Sequence, residues 1–232
     1  MLRLSALVSF LLALSAAQAD DAPKPKDDTL GKKPPEGATV LFGGGNLDGW
    51  VKKDGSGPAE WPVSGEIFTV GRGKGDIRTK ASFGDCRIHI EFAVPYEPDD
   101  KGQARGNSGV YVRGIHEVQV LDSYGLKPQT NDCGAVYQQH APAVNACKPP
   151  LQWQTYDITY QKPELEDGKL TKKARITVVQ NGITILDDKE IEPTPGGLGD
   201  VKPGDDGPLL LQDHGDEVQF RNIWVVPLGE AR

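Results

Sequence analysis

Four short stretches of the sequence carry the side chains best suited to proton transfer and to hydrogen bonding with a ligand. They cover residues 107–113, 115–122, 153–157 and 212–215. Carboxyl and imidazole groups are the usual general acids and bases of enzymes, and these stretches supply Glu117, Asp122, Asp213 and His214. The other polar or aromatic candidates for ligand contact are Tyr111, Arg113, Gln119, Trp153 and Gln212.

Alternation of polar and apolar residues predicts that several of these groups share one face of a β-sheet. In the first stretch two valines alternate with Tyr111 and Arg113, so the latter two point to the same side. In the second, two valines alternate in the same way with Glu117 and Gln119. Asp122 is five residues beyond Glu117 and would face away in a regular strand. A single β-bulge would bring both carboxylates to one side.

Each of these residues also has an ordinary structural interpretation. An isolated Glu or Arg on a strand usually lies on a solvated face. The tripeptide Asp213-His214-Gly215 has the composition of a simple turn. Alternation alone therefore leaves a site and a solvated face both open.

The elements that must position these groups are mainly strands. Clean alternation from Cys86 to Val94 predicts a half-buried strand, and Asn181-Gly182 predicts a tight hairpin turn, since both positions favour positive φ. No window of a dozen residues has the apolar spacing of an amphipathic helix. Many short strands separated by Gly and Pro favour an all-β sandwich or jelly roll. The predicted strands cover 65–70, 86–94, 107–113, 115–121, 153–160, 173–180, 183–187, 209–212 and 218–226.

Length, composition and charge restrict the class of protein. The chain has 232 residues, with 28 Gly and 18 Pro, and a net charge of −7. A single all-β domain of this length is ordinary. The negative charge argues against a nucleic-acid partner, which requires clustered Lys and Arg.

The N-terminal region reads as a targeting segment followed by a linker. Residues 1–19 contain an early arginine, an apolar run too short to span a bilayer, and a small-x-small ending. We predict a signal peptide cleaved after Ala19, export to the periplasm or medium, and no membrane span. Residues 20–37 hold four prolines and mixed charges, which predicts a flexible linker. The folded domain is expected over residues 38–229.

The three cysteines are an odd number for an exported protein. Cys133 and Cys147 lie in one Pro-, Asn- and Gly-containing region, 14 positions apart. An oxidising compartment favours a disulfide between them. Cys86 begins an apolar alternation and is expected to remain a buried thiol.

Five motifs, in one order along the chain, resemble those of a known family. They are LFGGGNLDGW at 41–50, GNSGVY at 106–111, EVQVLDSYG at 117–125, WQTYD at 153–157 and LLQDHG at 210–215. The resemblance runs from about residue 40 to residue 228. It is to the 3-keto-disaccharide hydrolases, also described as 3-keto-glucoside 1,2-lyase/2-hydroxy-3-keto-glucal hydratases. It implies a concanavalin-like jelly-roll β-sandwich related to laminarinase-type glycosidases.

The resemblance implies a reaction on sugars that carry a ketone at C3. The ketone acidifies the C2 proton, because the resulting carbanion delocalises onto the C3 oxygen. Removal of that proton allows the C1 substituent to leave by β-elimination, and water then adds to C1. Such a site needs a general acid/base near C1 and C2 and donors aimed at the enolate oxygen.

The candidate residues fit these roles. Glu117 or His214 is the expected base, Arg113 the enolate stabiliser, and Asp122 a carboxylate that orients the histidine or binds hydroxyls. The expected substrate-binding residues are Tyr111, Gln119, Trp153, Gln212 and Asp213.

A cofactor and a partner also follow from the resemblance. A divalent metal held by some of Glu117, Asp213 and His214 could stabilise the enolate, although no regular ligand spacing favours it. The substrate would be a 3-keto sugar, so an oxidoreductase must supply it.

Two other functions remain open. One is direct glycoside hydrolysis with Glu117 and Asp122 as the acidic pair, which Gln119 weakens by replacing the middle acid of the glycosidase pattern. The other is a non-catalytic carbohydrate-binding module, which needs a groove and aromatic side chains but no titrating base.

Overall fold

Fifteen β-strands build the part of the chain, residues 28–229, that the computed structural model describes. The predicted signal peptide at 1–19 lies outside these residues. The strands of the first half are β1 (Thr39–Phe42), β2 (Trp50–Lys52), β3 (Val63–Ser64), β4 (Ile67–Thr69), β5 (Ile77–Thr79), β6 (Cys86–Ala93), β7 (Ser108–Val112) and β8 (His116–Val120). Those of the second half are β9 (Gln154–Gln161), β10 (Glu164–Glu166), β11 (Lys169–Lys172), β12 (Ala174–Gln180), β13 (Ile183–Ile191), β14 (Leu210–Leu211) and β15 (Gln219–Pro227).

Two antiparallel sheets face each other. The eight-stranded sheet has the order β13-β12-β9-β6-β15-β4-β3, with β1 also paired to β15. The five-stranded sheet has the order β2-β5-β14-β7-β8, and β10 and β11 form a separate two-stranded hairpin. A 3₁₀ turn at Gly102–Ala104 is the only helical element among residues 28–229. The expected all-β jelly-roll sandwich is confirmed.

The core lies between the two sheets and follows the period-two pattern of the strands. Alternate residues of β6, β7, β8 and β9 enter it, because successive side chains of a strand point to opposite faces. From β7 and β8 the core takes Val110, Val112, Val118 and Val120.

Every strand segment predicted from the sequence contains a strand. Asn181 and Gly182 both have positive φ, 50° and 78°, in the turn between β12 and β13, as that dipeptide predicts. The strands that the sequence did not predict are β1, β2, β3, β5, β10 and β11, none longer than four residues.

Residues 28–36 lie against the outer face of the eight-stranded sheet. They belong to the predicted linker, residues 20–37. The Gly31 amide donates to Glu91 Oε1 at 2.6 Å, and the Thr29 hydroxyl donates to Asp157. Asn222 Nδ2 donates to the Lys32 carbonyl at 2.9 Å. We call residues 28–36 the strap.

The strap covers an ionic cluster on that sheet face. His89, fully buried, contacts Asp157 at 2.9 Å and Glu91 at 3.5 Å. Burial opposes protonation of His89, but the hydrogen bonds to Asp157 and Glu91 outweigh it, so its pKa is raised.

Within residues 28–229, no helix is long and apolar enough to cross a bilayer.

Candidate functional site

The polar face of β7 and β8 forms the floor of a cleft on the outer side of the five-stranded sheet. Tyr111 pairs directly with Glu117 across the two strands, and Gly109 pairs with Gln119. Directly opposed residues of an antiparallel pair share a face. The predicted grouping of Tyr111, Glu117 and Gln119 is therefore the observed one. Gln212 lies beside them, because its backbone N–H donates to the Gly109 carbonyl at 3.1 Å.

Gly109 makes room for the Glu117 side chain. A Cβ atom at this position would collide with Glu117 Oε1 and lie 2.8 Å from Tyr111 Cε2. The glycine is thus required by space within the strand, not by a positive φ. The space that a side chain would fill here is occupied by the Glu117 carboxyl group.

Glu117 is buried, at 3% exposure, and has no cation in contact with it among the cleft residues. Burial raises its pKa to about 7, and the nearby negative charge of Asp76 acts in the same direction. The hydroxyl of Tyr111, hydrogen-bonded to Glu117, partly offsets both. A carboxyl that titrates near neutral pH is suited to act as a general acid or base.

The carboxamide of Gln119 can accommodate either protonation state of Glu117. With its nitrogen turned toward Glu117, it donates to Oε1 at 3.0 Å and to the Ser108 carbonyl at 3.1 Å. With the Gln119 oxygen turned toward Glu117, the two side chains form a hydrogen bond only when Glu117 is protonated. In that orientation the nitrogen donates to Gln103 Oε1 at 2.9 Å.

The cleft has a volume of about 230 Å³ and a lining of neutral polar groups around one acid. Loops supply the walls above the strand floor. The lining residues are Gln103, Asn107, Tyr111, Glu117, Gln119, Tyr137, Pro195, Gly196, Gln212 and His214. Amide and hydroxyl groups of this kind suit a neutral polyhydroxyl ligand.

Asp76 ties together the loops that border the cleft. It accepts a hydrogen bond from the Asp213 amide at 2.9 Å and pairs with Lys53 Nζ at 2.9 Å. Lys53 also donates to the Gly196 carbonyl. The Asp213 carboxylate accepts from the Gly75 and Gly215 amides at 2.9 and 3.1 Å. Asp213 therefore stabilises the loop that places His214 at the exposed edge of the cleft. Asp213 itself does not line the cleft.

Arg113 lies away from the cleft, contrary to the predicted shared face. It has a φ of 55° in the turn between β7 and β8, so strand alternation ends at Val112. Its guanidinium donates to Tyr160 Oη at 3.2 Å and to the Lys202 carbonyl at 2.6 Å. It cannot reach an enolate bound at Glu117 from this position.

Asp122 also lies outside the cleft. Strand β8 is regular and ends at Val120, with no bulge that would turn Asp122 toward Glu117. Its carboxylate pairs with Arg105, and its amide donates to the Arg105 carbonyl at 3.0 Å. The two carboxyl groups are not arranged as a glycosidase pair.

Trp153 belongs to the opposite side of the molecule. It lies just before β9, and the Arg221 guanidinium is 4.0 Å from its ring centre. Arg221 in turn pairs with Glu91 at 2.7 Å on the face covered by the strap. The aromatic residues that line the cleft are instead Tyr111 in its floor and Tyr137 in its wall.

No group of three or more His, Cys, Asp or Glu side chains among residues 28–229 is arranged to hold a metal ion. The expected ligands Glu117, Asp213 and His214 are not brought together, because the Asp213 carboxylate accepts hydrogen bonds from backbone amides of the loop.

A larger cavity, of about 710 Å³, lies between the strap and the eight-stranded sheet. Its half-buried acid, Asp157, is already paired with His89 at 2.9 Å. The smaller cleft is the better candidate site because its acid lacks a cationic partner and titrates near neutral pH.

Gln103, Asn107, Tyr137 and Asp76 were not singled out as site residues by sequence reasoning. They reach the cleft region from loops whose position depends on tertiary contacts, such as the Tyr137 amide donating to the Glu117 carbonyl at 3.2 Å. Asn107 lies within the GNSGVY motif at 106–111, which was the only available signal.

An all-β sandwich with a buried acid in a cleft of neutral polar groups is an architecture of carbohydrate-active proteins. The 3-keto-alpha-glucoside-1,2-lyase-like domain matches residues 37–226, so the chain belongs to this family, which is carbohydrate-active and glycosyl hydrolase-like. The resemblance noted from the motifs is thereby confirmed.

Solved structures agree with this assignment. A candidate glycosyl hydrolase from Parabacteroides distasonis is 35% identical, with a TM-score of 0.78 over 97% of this chain and 100% of that one. A second candidate glycosyl hydrolase from the same species is 22% identical, with a TM-score of 0.61 over 83% of this chain and 94% of that one. The second shows likeness of fold alone. No curated protein matches the sequence.

Proposed function

We propose that the protein cleaves 3-keto-glucosides by elimination across C1 and C2 followed by hydration, with Glu117 as the acid–base group. The observation that carries the proposal is the buried Glu117 carboxyl, whose pKa of about 7 lets it exist in both protonation states at neutral pH. One group can then take a proton from C2 and later return it.

The ionised form of Glu117 accepts the C2 proton of the bound sugar. The electron pair of the broken C–H bond moves toward the C3 carbonyl, and the enolate oxygen needs a hydrogen-bond donor. Burial raises the pKa of Tyr111 well above its usual value, so it stays a hydroxyl. Its proton is donated to the Pro195 carbonyl at 3.1 Å in the absence of a ligand, and it would turn from that oxygen to the enolate. Gln212 Nε2, 3.3 Å from Tyr111 Oη, is a second donor at the same place.

The second half of the reaction returns the proton. The enolate collapses, the C1–O bond breaks, and the leaving oxygen takes a proton from protonated Glu117 or from His214 at the cleft edge. Glu117, ionised again, then takes a proton from water as the water oxygen bonds to C1 of the unsaturated sugar. The same proton passes from Glu117 to C2, so that water is added across C1 and C2 and the overall reaction is a hydrolysis. His214, although exposed, lines the same cleft as Glu117 and can serve the leaving group.

Direct glycoside hydrolysis receives less support from the site. That reaction uses two carboxyl groups about 5–9.5 Å apart on either side of the scissile bond. Asp122 pairs with Arg105 and Asp76 with Lys53, so neither is a free second acid in the cleft. A single isolated acid fits the elimination better.

The proposal has consequences for partners and location. A C3 ketone is made by oxidation of a sugar hydroxyl, so an oxidoreductase must act before this protein. The N-terminal sequence supports export with cleavage after Ala19.

The test compares a 3-keto disaccharide with the same disaccharide unoxidised. We expect release from the keto form alone, and Glu117→Gln should lower turnover by about 10²–10⁴-fold. The matched control is Glu166→Gln, an exposed carboxylate on β10, which should leave turnover unchanged. Equal release from both sugars would indicate direct hydrolysis, and release from neither would indicate a binding module.

A further inference from the structure

Cys133 and Cys147 lie side by side as thiols beneath the wall of the cleft. The two thiols are close enough to influence each other's ionisation. Gln180 Nε2 is 3.5 Å from both sulfur atoms, which places them around one amide group. Cys86, the third free cysteine, is buried at the start of β6 on another part of the sandwich.

The pair contacts the strand that carries Glu117. Cys133 Sγ is 3.0 Å from Tyr156 Oη, and that hydroxyl donates to the Gln119 carbonyl at 2.7 Å. One tyrosine thus connects the thiols to the backbone of β8.

The segment 133–147 also packs against β8 and contributes Tyr137 to the cleft wall. The Gly134 amide donates to the Gln119 carbonyl at 2.9 Å, and the Gln119 amide donates to the Ala135 carbonyl at 2.9 Å. Tyr137 from the same segment lines the cleft. A covalent link between the two ends of this segment would fix the wall against β8.

From these contacts we infer that Cys133 and Cys147 are an oxidisable pair, and that their disulfide fixes the 133–147 wall of the cleft. This inference is independent of the reaction proposed above, since it concerns only the wall. Cys133 and Cys147 are 14 positions apart, a loop length whose closure is expected to stabilise the folded state.

The step is a thiol–disulfide exchange with a small disulfide such as oxidised glutathione. The thiolate of one cysteine attacks the oxidant and expels one thiol, which leaves a mixed disulfide. The other thiolate then attacks the protein sulfur of that mixed disulfide and expels the second thiol. One S–S bond forms in the protein, two protein thiols are oxidised, and one oxidant disulfide is reduced to two thiols.

The environment of the pair favours ionisation of one sulfur. Burial opposes ionisation of Cys133, but its hydrogen bonds with Cys147 and Tyr156 outweigh burial and lower its pKa. The same thiol–thiol hydrogen bond raises the pKa of Cys147. Paired thiols that share a proton in this way are typical of reactive dithiols.

The experiment refolds the full chain in a glutathione redox buffer and alkylates it after denaturation without reductant. We expect one labelled cysteine, Cys86, and a peptide that joins Cys133 to Cys147. Cys86→Ser should keep the joined peptide and carry no label, whereas Cys147→Ser should lose the peptide. Three labelled thiols in the wild-type chain, or a bond that includes Cys86, would overturn the inference.

A second measurement tests the effect on the wall and uses both redox forms of the wild-type chain. Reduction should lower Tm by roughly 5–10 °C and speed amide hydrogen exchange at Gly134 and Tyr137 by at least about tenfold. The same reductant should leave Tm of Cys147→Ser unchanged, which serves as the matched control. Unchanged exchange in the reduced wild-type chain would show that the bond does not fix the wall.

Discussion

Glu117 and its immediate neighbours determine whether the cleft can move protons. The carboxyl is surrounded by Tyr111, Gln119 and the space left by Gly109, without a contacting cation among the cleft residues. Loss of hydration therefore dominates its pKa, which is raised to about 7. The folded protein keeps this group protonated over a pH range in which an exposed glutamate is ionised.

This shift predicts a pH-dependent stability that disappears in Glu117→Gln. In the unfolded chain Glu117 ionises near its ordinary value of 4.5, whereas in the folded chain it keeps its proton until about pH 7. The folded state thus binds more protons between these values, and its stability falls as pH rises through that window. Glu117→Gln should gain about 3 kcal/mol relative to wild type across the window, with no further change above it.

Denaturant unfolding of both proteins at several pH values measures this difference. The control is Glu166→Gln, whose side chain is exposed and whose stability difference from wild type should stay flat with pH. A flat difference for Glu117→Gln as well would mean that the carboxyl titrates normally.

Strand alternation was sufficient to predict part of the residue arrangement. Tyr111, Glu117 and Gln119 occupy regular positions of β7 and β8, where side-chain direction follows from position alone. Arg113 and Asp122 lie just beyond the ends of those strands, so alternation no longer determines where they point. Their partners, Tyr160 and Arg105, come from distant segments that no local pattern reveals.

The β7–β8 pair is the element on which the site depends. Its one valine-lined face packs into the core, and this fixes the register that brings Tyr111 opposite Glu117. A slip of one residue would turn every site side chain into the core. The hydrophobic core therefore holds the site in register.

Gly109→Ala tests the packing within this element. The added methyl group would collide with Glu117 Oε1, so the carboxyl must leave its place on the floor of the cleft. We expect a loss of about 1–3 kcal/mol in the free energy of unfolding and a fall in turnover. Chemical denaturation and turnover measure the two effects.

The matched control for this substitution is Gly57→Ala. Nothing lies within 4 Å of a Cβ built at Gly57, and its φ is not in the left-handed region. This variant should keep wild-type stability and turnover. If Gly109→Ala behaves in the same way, the close packing around Glu117 has no functional importance.

At the scale of the whole molecule, the strap closes the outer face of the larger sheet. Glu91 is 1% exposed although it lies on that outer face. Burial opposes its ionisation, but hydrogen bonds from His89, Asn222 and Arg221 lower its pKa to about 2. The Gly31 amide of the strap completes this set at 2.6 Å.

Removal of residues 20–36 should therefore destabilise the fold. Glu91 and Asp157 would lose strap hydrogen bonds, and we expect a decrease of about 1–3 kcal/mol in the free energy of unfolding. Removal of residues 20–27 retains the Thr29 and Gly31 contacts and is the control. Equal stability of the two truncated chains would mean that the strap contributes nothing to the fold.

The sequence predicted the fold class more completely than the site. Alternating strands and the Asn181-Gly182 turn are local signals, and both are present in the structure as predicted. Composition predicted a flexible linker at 20–37, yet residues 28–36 contact the sheet. Composition carries no information about hydrogen bonds between segments that are distant in the sequence. The cleft walls at Tyr137 and Gly196 depend on the same kind of contact.

Exchange of the C2 hydrogen of a 3-keto-glucoside for deuterium tests the central claim most directly. In deuterated buffer the wild-type chain should incorporate deuterium at C2, with a rate that rises as pH passes through about 7, where Glu117 ionises. Glu117→Gln should exchange about 10²–10⁴-fold more slowly, while Glu166→Gln should match wild type. Exchange and cleavage at the wild-type rate in Glu117→Gln would contradict the assignment of Glu117 as the base.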